Sequence, residues 1–382
     1  MSSIKYMKGW NRLARRENDF FTNKNYIHTS RMLSSSSSSS GPNTHQLRPP
    51  NTNDAQNLKS RMENRPNCVI TDPESLKENN IDWTKHYQGH SSILCRPNST
   101  QEVSSILKYC HEERIGVVPQ AGNTGVVGSA TPIDQEIILS LRDLNDIHSF
   151  DEVNGILTCG SGCILQSLQD SVSRWNHFVP IDLGAKGSCM IGGNISTNAG
   201  GSYYYRFGSI HANIIGLEVV LANGSILDLM NVNRKDNTGY DLKHLFVGAE
   251  GTLGIITKIA MSCPRLPSAK NVAFLACDTF DSVQRTLTLA KQELGEVLGA
   301  FELMDKEVLD VVSKEKVIPI QNSDGGNYRF CVLVETLGAN DDHDKEKMNV
   351  FLEKAMGNSD VVDGVLSQDL KQVRCRVKKC MD

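Results

Sequence analysis

Residues 182–201 read DLGAKGSCMIGGNISTNAGG. Between 184 and 208 there are seven glycines, at 184, 187, 192, 193, 200, 201 and 208. A segment that dense in glycine has few side chains with which to pack. It makes sense where a flat, phosphate-bearing ligand takes the place of the missing side chains. Ser188, Asn194, Thr197 and Asn198 add hydroxyl and amide groups suited to the polar edge of a ring or to a polyol chain.

Two more glycine clusters flank this one. Upstream, residues 119–130 read PQAGNTGVVGSA, with glycines at 122, 125 and 128. The spacing G-x-x-G-x-x-G is neither the dinucleotide fingerprint nor a P-loop. Glycine lets backbone N–H groups close on an anion, and consecutive N–H groups in such a turn form an anion nest. Taken alone, this loop reads equally well as a tight turn. Downstream, RKDNTGYDL (234–242) precedes GAEGTLGIIT (248–257), where Gly248, Gly251 and Gly254 recur every three residues. Glu250 in this cluster reads first as a capping or structural carboxylate.

The surrounding pattern places the upstream loop. Ser99-Thr-Gln-Glu102 is a capping box, and Val103, Ile106, Leu107 and Cys110 follow at helical spacing. Short strands are predicted at Ser91–Arg96, Val117–Val118 and Ile137–Leu141, so the loop follows a β–α–β unit. It lies at a strand's carboxyl end, where ligands commonly bind. Asn154-Gly155 and Asn223-Gly224 read as hairpin turns. The second joins strands at Ile214–Leu221 and Ile226–Met230, and Gly254–Met261 is a further strand. This β-rich middle argues against an open parallel dinucleotide-binding sheet. From about residue 270 strands and helices alternate: Asn271–Cys277, helix Asp281–Glu293, Val297–Leu303, helix Lys306–Val312, Tyr328–Glu335, helix Asp344–Met356 and Val361–Val365. That order predicts an antiparallel sheet covered by helices on one face. Folded material is expected to begin near residue 82.

Composition narrows the function classes. The chain has 382 residues and a formal net charge of -4, which gives no global basic field for nucleic acid. No apolar run approaches membrane-spanning length. The eleven cysteines form no C-x-x-C pair and read as small apolar residues of a reducing compartment. Cys159 and Cys163 read as strand-to-helix residues rather than metal ligands. Residues 1–50 carry eight basic residues against Glu17 and Asp19, and seven serines run from Ser34 to Ser40. An Arg-rich, Ser-rich, acid-poor leader reads as an organelle transit peptide, with Arg31-Met32-Leu33-Ser34 as a cleavage neighbourhood. A basic tail without a targeting role is the alternative. Residues 1–65 are expected to be leader and disordered.

The three glycine clusters in this order closely resemble the flavin-binding domain of the vanillyl-alcohol oxidase / p-cresol methylhydroxylase (PCMH) family. DLGAKGSCMIGGNISTNAGG, RKDNTGYDL and GAEGTLGIIT are similar to its D-2-hydroxy-acid dehydrogenase branch, over residues 65 to about 372. The resemblance implies an α+β chain: a two-subdomain PCMH-type FAD-binding domain at 66–268, then an incomplete ferredoxin-like α/β cap or substrate domain at 269–372. It implies that Pro119, Gly122, Asn123, Thr124, Gly125 and Gly128 hold the FAD pyrophosphate. Gly187, Ser188, Gly192, Gly193, Asn194, Asn198 and Gly201 would lie along the flavin, and Gly254 and Ile256 near the adenine. His211 is a histidine near these clusters, and the FAD is expected to be non-covalent. The implied reaction is oxidation of a D-2-hydroxy acid, D-2-hydroxyglutarate to 2-oxoglutarate or D-lactate, by hydride transfer to flavin. Electrons would pass to electron transfer flavoprotein in the mitochondrial matrix. No nucleic acid and no membrane span are expected, and a homodimer is an open alternative.

The substrate side departs from the family pattern. Ser367-Gln-Asp-Leu-Lys-Gln372 is followed by Val373-Arg-Cys-Arg-Val-Lys-Lys-Cys-Met-Asp382. The family's W-x-x-R-E and H-G-H segments do not occur, and the ten histidines are dispersed, with His86 and His90 four apart and no i, i+2 pair. The expectation is a C-terminally truncated chain with an aberrant tail at 373–382. On that expectation the zinc-type metal ligands are absent and no catalytic residue is assigned, and a non-catalytic FAD-binding fragment is the alternative to a D-2-hydroxy-acid dehydrogenase. The cap sheet should then expose a strand edge near Val361–Val365, with poor solubility or a need for a partner.

Overall fold

The computed structural model describes residues 47–314, 318–323 and 325–367. The leader's basic and serine-rich segments, the cleavage neighbourhood and the tail after Gln372 lie outside the described residues.

The described chain opens earlier than the sequence suggests. Helix α1 (Thr52–Ser60) is capped by Asn51, with Asp54 completing a capping box. Leu58 and Met62 are fully buried in the core beside Val103 and Ile106. This corrects the boundary drawn at residue 65 and the expected start near 82. The helix has too few apolar positions to give a periodic signal, and it is fixed instead by polar contacts. Asp54 is buried and accepts from Arg48 Nη1 and Nη2, both at 2.8 Å, and from Tyr109 Oη at 2.6 Å.

The first subdomain is a four-stranded sheet. Its strands are β1 (Val69–Ile70), β2 (Leu94–Cys95), β3 (Val117–Gln120) and β4 (Ile137–Ser140), in the order β1-β2-β4-β3. β4 pairs in parallel with both β2 and β3. The short helix α2 (Pro73–Leu76) follows β1, and α3 (Thr100–Glu113) is the crossover between β2 and β3. Ser99 caps α3, and Val103, Ile106, Leu107 and Cys110 are its buried face, as the spacing requires.

The second subdomain is a five-stranded antiparallel sheet, in the order β5-β6-β9-β7-β8. Its strands are β5 (Ile147–Asp151), β6 (Ile156–Gly160), β7 (Ile214–Val220), β8 (Ile226–Leu229) and β9 (Ile255–Ser262). Both hairpin turns fall where Asn-Gly placed them, with Gly155 at φ +62° and Gly224 at φ +85°. Helices α4 (Leu165–Ser173) and α5 (Ile191–Ser196) bury Leu165, Leu168, Ile191 and Ile195 against this sheet, and the short α6 (Tyr204–Phe207) follows. Glu218 of β7 ties the two subdomains together. It is buried and accepts from Thr100 Oγ1 of α3 at 2.5 Å and from Thr257 Oγ1 of β9 at 2.9 Å.

The third unit runs β10 (Ala269–Cys277), α7 (Phe280–Glu293), β11 (Leu298–Asp305), α8 (Lys306–Ser313), β12 (Phe330–Gly338), α9 (Asp341–Gly357) and β13 (Asp363–Ser367). The sheet is antiparallel in the order β11-β12-β10-β13, which is the ferredoxin-like arrangement. One face is covered by Val283 and Ala290 of α7 with Met348 and Phe351 of α9. The opposite face is covered too, by Leu309 of α8 with Ile318 and Ile320. That corrects the expectation of helices on one face only. Val272, Phe274 and Ala276 alternate with Ala273, Leu275 and Cys277 along β10, so both faces of this strand are apolar and both need cover. Among the described residues β13 is paired on one side only.

Candidate functional site

A cleft of about 550 Å³ opens between the first two subdomains. Its floor is the loop that leaves β3, and the segment 183–199 forms one wall. Glu250 and Gly251 bring in the third cluster. All three glycine clusters therefore meet on one cavity.

The upstream loop is preformed by contacts at each end. The buried Gln120 donates to Asn79 O at 2.9 Å and Ala130 O at 3.0 Å, which closes the loop's base. Asn123 sits at φ +50° and donates to Ile81 O at 2.9 Å. A Cβ on Gly122 would meet Ser188 O at 2.5 Å, so only glycine lets the loop approach the wall. Gly128, at φ +71°, lies flat on the Tyr87 ring. A Cβ on Gly125 would meet nothing within 4 Å and would point into open space. Among the described residues lining the cleft there is no lysine or arginine. An anion held there is met by backbone N–H groups, as in an anion nest.

The wall carries the polar groups. Asn194 is buried, and its Oδ1 has no hydrogen-bond partner. An unpartnered buried acceptor in a cleft suits a ligand that brings an N–H. Ser188 lines the same wall, with Oγ donating to Ala185 O at 3.3 Å. Thr197 also lines it, but its hydroxyl is directed to Gly193 O at 3.1 Å. A preformed glycine floor, an unpartnered amide and apolar lining together suit a flat, phosphate-bearing dinucleotide.

The residues expected from the sequence divide into two sets. Pro119, Gly122, Asn123, Thr124, Gly125, Gly128, Ser188, Gly193 and Asn194 line the cleft. Gly187, Gly192, Asn198, Gly201, Gly254 and Ile256 stand outside the lining. Gly192 is pressed on Ser161, and Gly201, at φ +79°, on the Asp182 carbonyl. Gly254 packs on Val219 and Val220, and Ile256 is a core residue of β9. Asn198 turns away at φ +51° and accepts from His211 N at 3.3 Å. A methyl on Gly187 would meet nothing within 4 Å, and the residue borders the wall without lining it.

The sequence reading missed Asp82 and Trp83, which line the cleft from a turn far from any glycine motif. Burial pushes the Asp82 carboxyl up, but hydrogen bonds from Thr84, Tyr87 and His86 outweigh it and hold it below the usual carboxylate range. Glu250 was read as structural, yet it lines the cleft at φ +50°.

His211 does not line the cleft. Its ring stacks on His244 at 3.9 Å, and His244 Nδ1 meets Asp241 Oδ2 at 2.7 Å. Burial and the neighbouring His244 lower the His211 pKa, which favours the neutral ring. Among the described residues no group of three or more His, Cys, Asp or Glu could hold a metal ion. No helix there is long and apolar enough to cross a membrane. The nine described cysteines are all buried and free, as their apolar reading requires.

Comparison with known proteins follows the same division. Residues 91–230 match the FAD binding domain family, and residues 266–379 match the C-terminal domain of the FAD linked oxidases. A probable D-2-hydroxyglutarate dehydrogenase, mitochondrial, of Oryza sativa subsp. indica is 49% identical over 310 residues, covering 80% of this chain and 54% of the relative. The Bos taurus D-2-hydroxyglutarate dehydrogenase, mitochondrial, is 48% identical over 311 residues, covering 81% and 56%. A putative D-lactate dehydrogenase, mitochondrial, of Schizosaccharomyces pombe is 44% identical over 304 residues, covering 80% and 57%. The chain thus spans about half the length of these relatives. Among solved structures, alkyldihydroxyacetonephosphate synthase superposes with a TM-score of 0.72 at 16% identity, covering 89% of this chain and 66% of that one. p-Cresol methylhydroxylase superposes with a TM-score of 0.67 at 16% identity, covering 84% and 68%. These two support the fold alone. The chain thus carries, in order, matches to the FAD binding domain and to the C-terminal domain of the FAD linked oxidases, on a PCMH-type fold.

Proposed function

We propose that the cleft holds FAD without a covalent bond and that the chain serves the oxidation of a D-2-hydroxy acid, D-2-hydroxyglutarate to 2-oxoglutarate. The observation that carries this reading is the convergence of three glycine clusters on one cleft of about 550 Å³. Bound flavin would supply the two-electron acceptor that the oxidation needs. The chain's own residues bind and orient. Gly122, Asn123, Thr124, Gly125 and Gly128, with Pro119 at the loop's start, form the floor under the pyrophosphate. Ser188, Gly193 and Asn194 face the flavin edge, with the Asn194 carbonyl accepting a ring N–H. Gly192, Gly201, Gly254 and Ile256 pack behind the wall, and Gly187 and Asn198 border it.

On the same reading the electrons pass to electron transfer flavoprotein, and the protein acts in the mitochondrial matrix. The relatives' names and the basic, serine-rich leader support the mitochondrial part. D-Lactate is the second substrate reading, supported by the name of the Schizosaccharomyces pombe relative.

The test is a flavin spectrum of the purified chain, followed by turnover of D-2-hydroxyglutarate and D-lactate with a dye acceptor. Bound flavin with faster turnover of D-2-hydroxyglutarate is the expected result. Bound flavin with no turnover of either acid would reduce the chain to an FAD-binding fragment and overturn the catalytic part. Absence of flavin would overturn the whole reading.

A further inference from the structure

A second cavity, of about 570 Å³, is lined by the end of β12, the linker 264–268 and α6. It shares no lining residue with the cleft of the glycine clusters, and its charge is the reverse. Among the described residues the cleft is lined by no lysine or arginine. This cavity is lined by Arg206 and Arg265 and by no aspartate or glutamate. Arg206 is partly buried, and with the described residues it makes no hydrogen bond and no ion pair. Its guanidinium lies 5.7 Å from the centre of the Phe207 ring, a contact that gives its N–H donors no acceptor oxygen. Burial pulls the Arg206 pKa below the ordinary arginine value, against the opposing pull of Asp344 and Glu296. Those two carboxylates stand outside the lining and are already engaged, Asp344 with His343 Nδ1 at 3.0 Å and Glu296 with Lys347 Nζ at 2.7 Å. A guanidinium drawn partly out of water without an acceptor is costly, and a ligand oxygen would relieve it.

The walls are held from behind, so the cavity is preformed. Phe178 N donates to Pro264 O at 3.0 Å and Leu266 N to Asn176 O at 2.7 Å, which fastens the linker to the segment 176–178. Leu337 N donates to Val297 O at 2.7 Å and fixes the end of β12. The Phe207 ring meets the Phe178 ring edge-on at 5.3 Å, and Asn213 Nδ2 donates to Phe207 O at 3.0 Å. Phe207, Leu266 and Leu337 make much of the lining apolar, and beyond the arginines its polar side chains are Asn176 and Ser268. One partly buried guanidinium balances one negative charge. An apolar lining with a single buried cation and an exposed second one suits a monoanion that carries a hydrocarbon or aromatic body. Arg206 comes from the second subdomain and Leu337 from the ferredoxin-like unit, so such a ligand would touch both.

We propose that this cavity is a binding site for a small carboxylate with an apolar body, the carboxylate paired with Arg206 and the body lying against Phe207 and Leu337. The site stands whether or not the cleft holds FAD. The experiment is a calorimetric titration of the full chain with phenylacetate, phenyl phosphate and 2-phenylethanol, each alone and with FAD in excess. Phenylacetate should bind once per chain and more tightly than the other two. Arg206→Ala should weaken it by about tenfold or more, the worth of a hydrogen bond to a charged group. Arg206→Lys keeps the charge without the planar fork and should recover part of the loss. Arg265→Ala, at an exposed position, should weaken it less. Arg206→Ala removes an unpaired charge, so without ligand it should unfold at a temperature no lower than the unaltered chain, and Arg265→Ala tests the same site without touching the buried wall. Excess FAD should leave the phenylacetate titration unchanged. Absence of phenylacetate binding, or binding unaltered in both alanine variants, would overturn the site. Equal binding of 2-phenylethanol would overturn the role of charge, and tighter binding of phenyl phosphate would overturn the choice of a carboxylate. Displacement of phenylacetate by FAD would return the ligand to the cleft and overturn the proposal as well.

Discussion

Gly125 and Gly201 belong to the same sequence signal, and the structure uses them in opposite ways. A methyl on Gly201 would come within 2.1 Å of the Asp182 carbonyl oxygen, and the residue sits at φ +79°. A methyl on Gly125 would meet nothing within 4 Å. One glycine lets two pieces of backbone touch, and the other keeps a floor clear. A glycine-rich flavoprotein segment therefore mixes residues that build the cleft with residues that face what it holds. Substitutions at the two kinds of site should separate stability from binding.

The largest effect is expected at the packed position. Gly201→Ala introduces both a positive-φ strain and a backbone clash, and should lower stability by about 3 kcal/mol or more, read from urea unfolding. Next comes the buried carboxylate that holds α1. Asp54→Asn should cost about 2 kcal/mol, below the range for a fully buried pair because Arg48 is partly exposed. The Arg48 guanidinium, against the opposing effect of burial and with help from Tyr109, holds the Asp54 carboxyl below the usual carboxylate range. Its stabilisation is thus complete above about pH 4 and is lost as the pH falls toward the depressed folded-state value. The unaltered chain should lose urea resistance over that acid window, and Asp54→Asn should lose less.

Gly125→Ala sharpens the comparison from the other side. It should leave the unfolding midpoint of the apo-protein within about 0.5 kcal/mol and weaken FAD by about tenfold, or 1.4 kcal/mol, in a flavin titration. A loss of stability like that of Gly201→Ala would break the distinction between the two kinds of glycine. The smallest effect concerns the thiols. Burial pushes Cys110, Cys263 and Cys331 each up to about 12. In the native protein at pH 8 these three should resist a thiol reagent, and mass spectrometry of the labelled chain reads the result directly.

Much of the architecture was legible because it is written locally. Ser99 and the run Val103, Ile106, Leu107, Cys110 specify α3, and Asn154-Gly155 and Asn223-Gly224 specify the hairpins. The strand–helix order after residue 270 specifies the ferredoxin-like unit. What was not legible depends on neighbours distant in sequence. Gly192 and Gly193 are adjacent, yet one is pressed on Ser161 and the other lines the cleft beside Ala121. No spacing rule separates them. Helix α1 escaped because a buried Asp54 and its partners Arg48 and Tyr109 hold it, and a carboxylate is not read as a core residue from sequence. Trp83 escaped because it belongs to no motif and reaches the cleft only through the contacts of Asn123 and Tyr87.

The most direct test of the central claim is the flavin content of the folded chain. The chain is incubated with FAD, freed of unbound ligand and precipitated with acid. The account predicts one flavin per chain that remains in the acid supernatant, as a non-covalent ligand must. A chain with the expected helix and strand content that retains no flavin would contradict it.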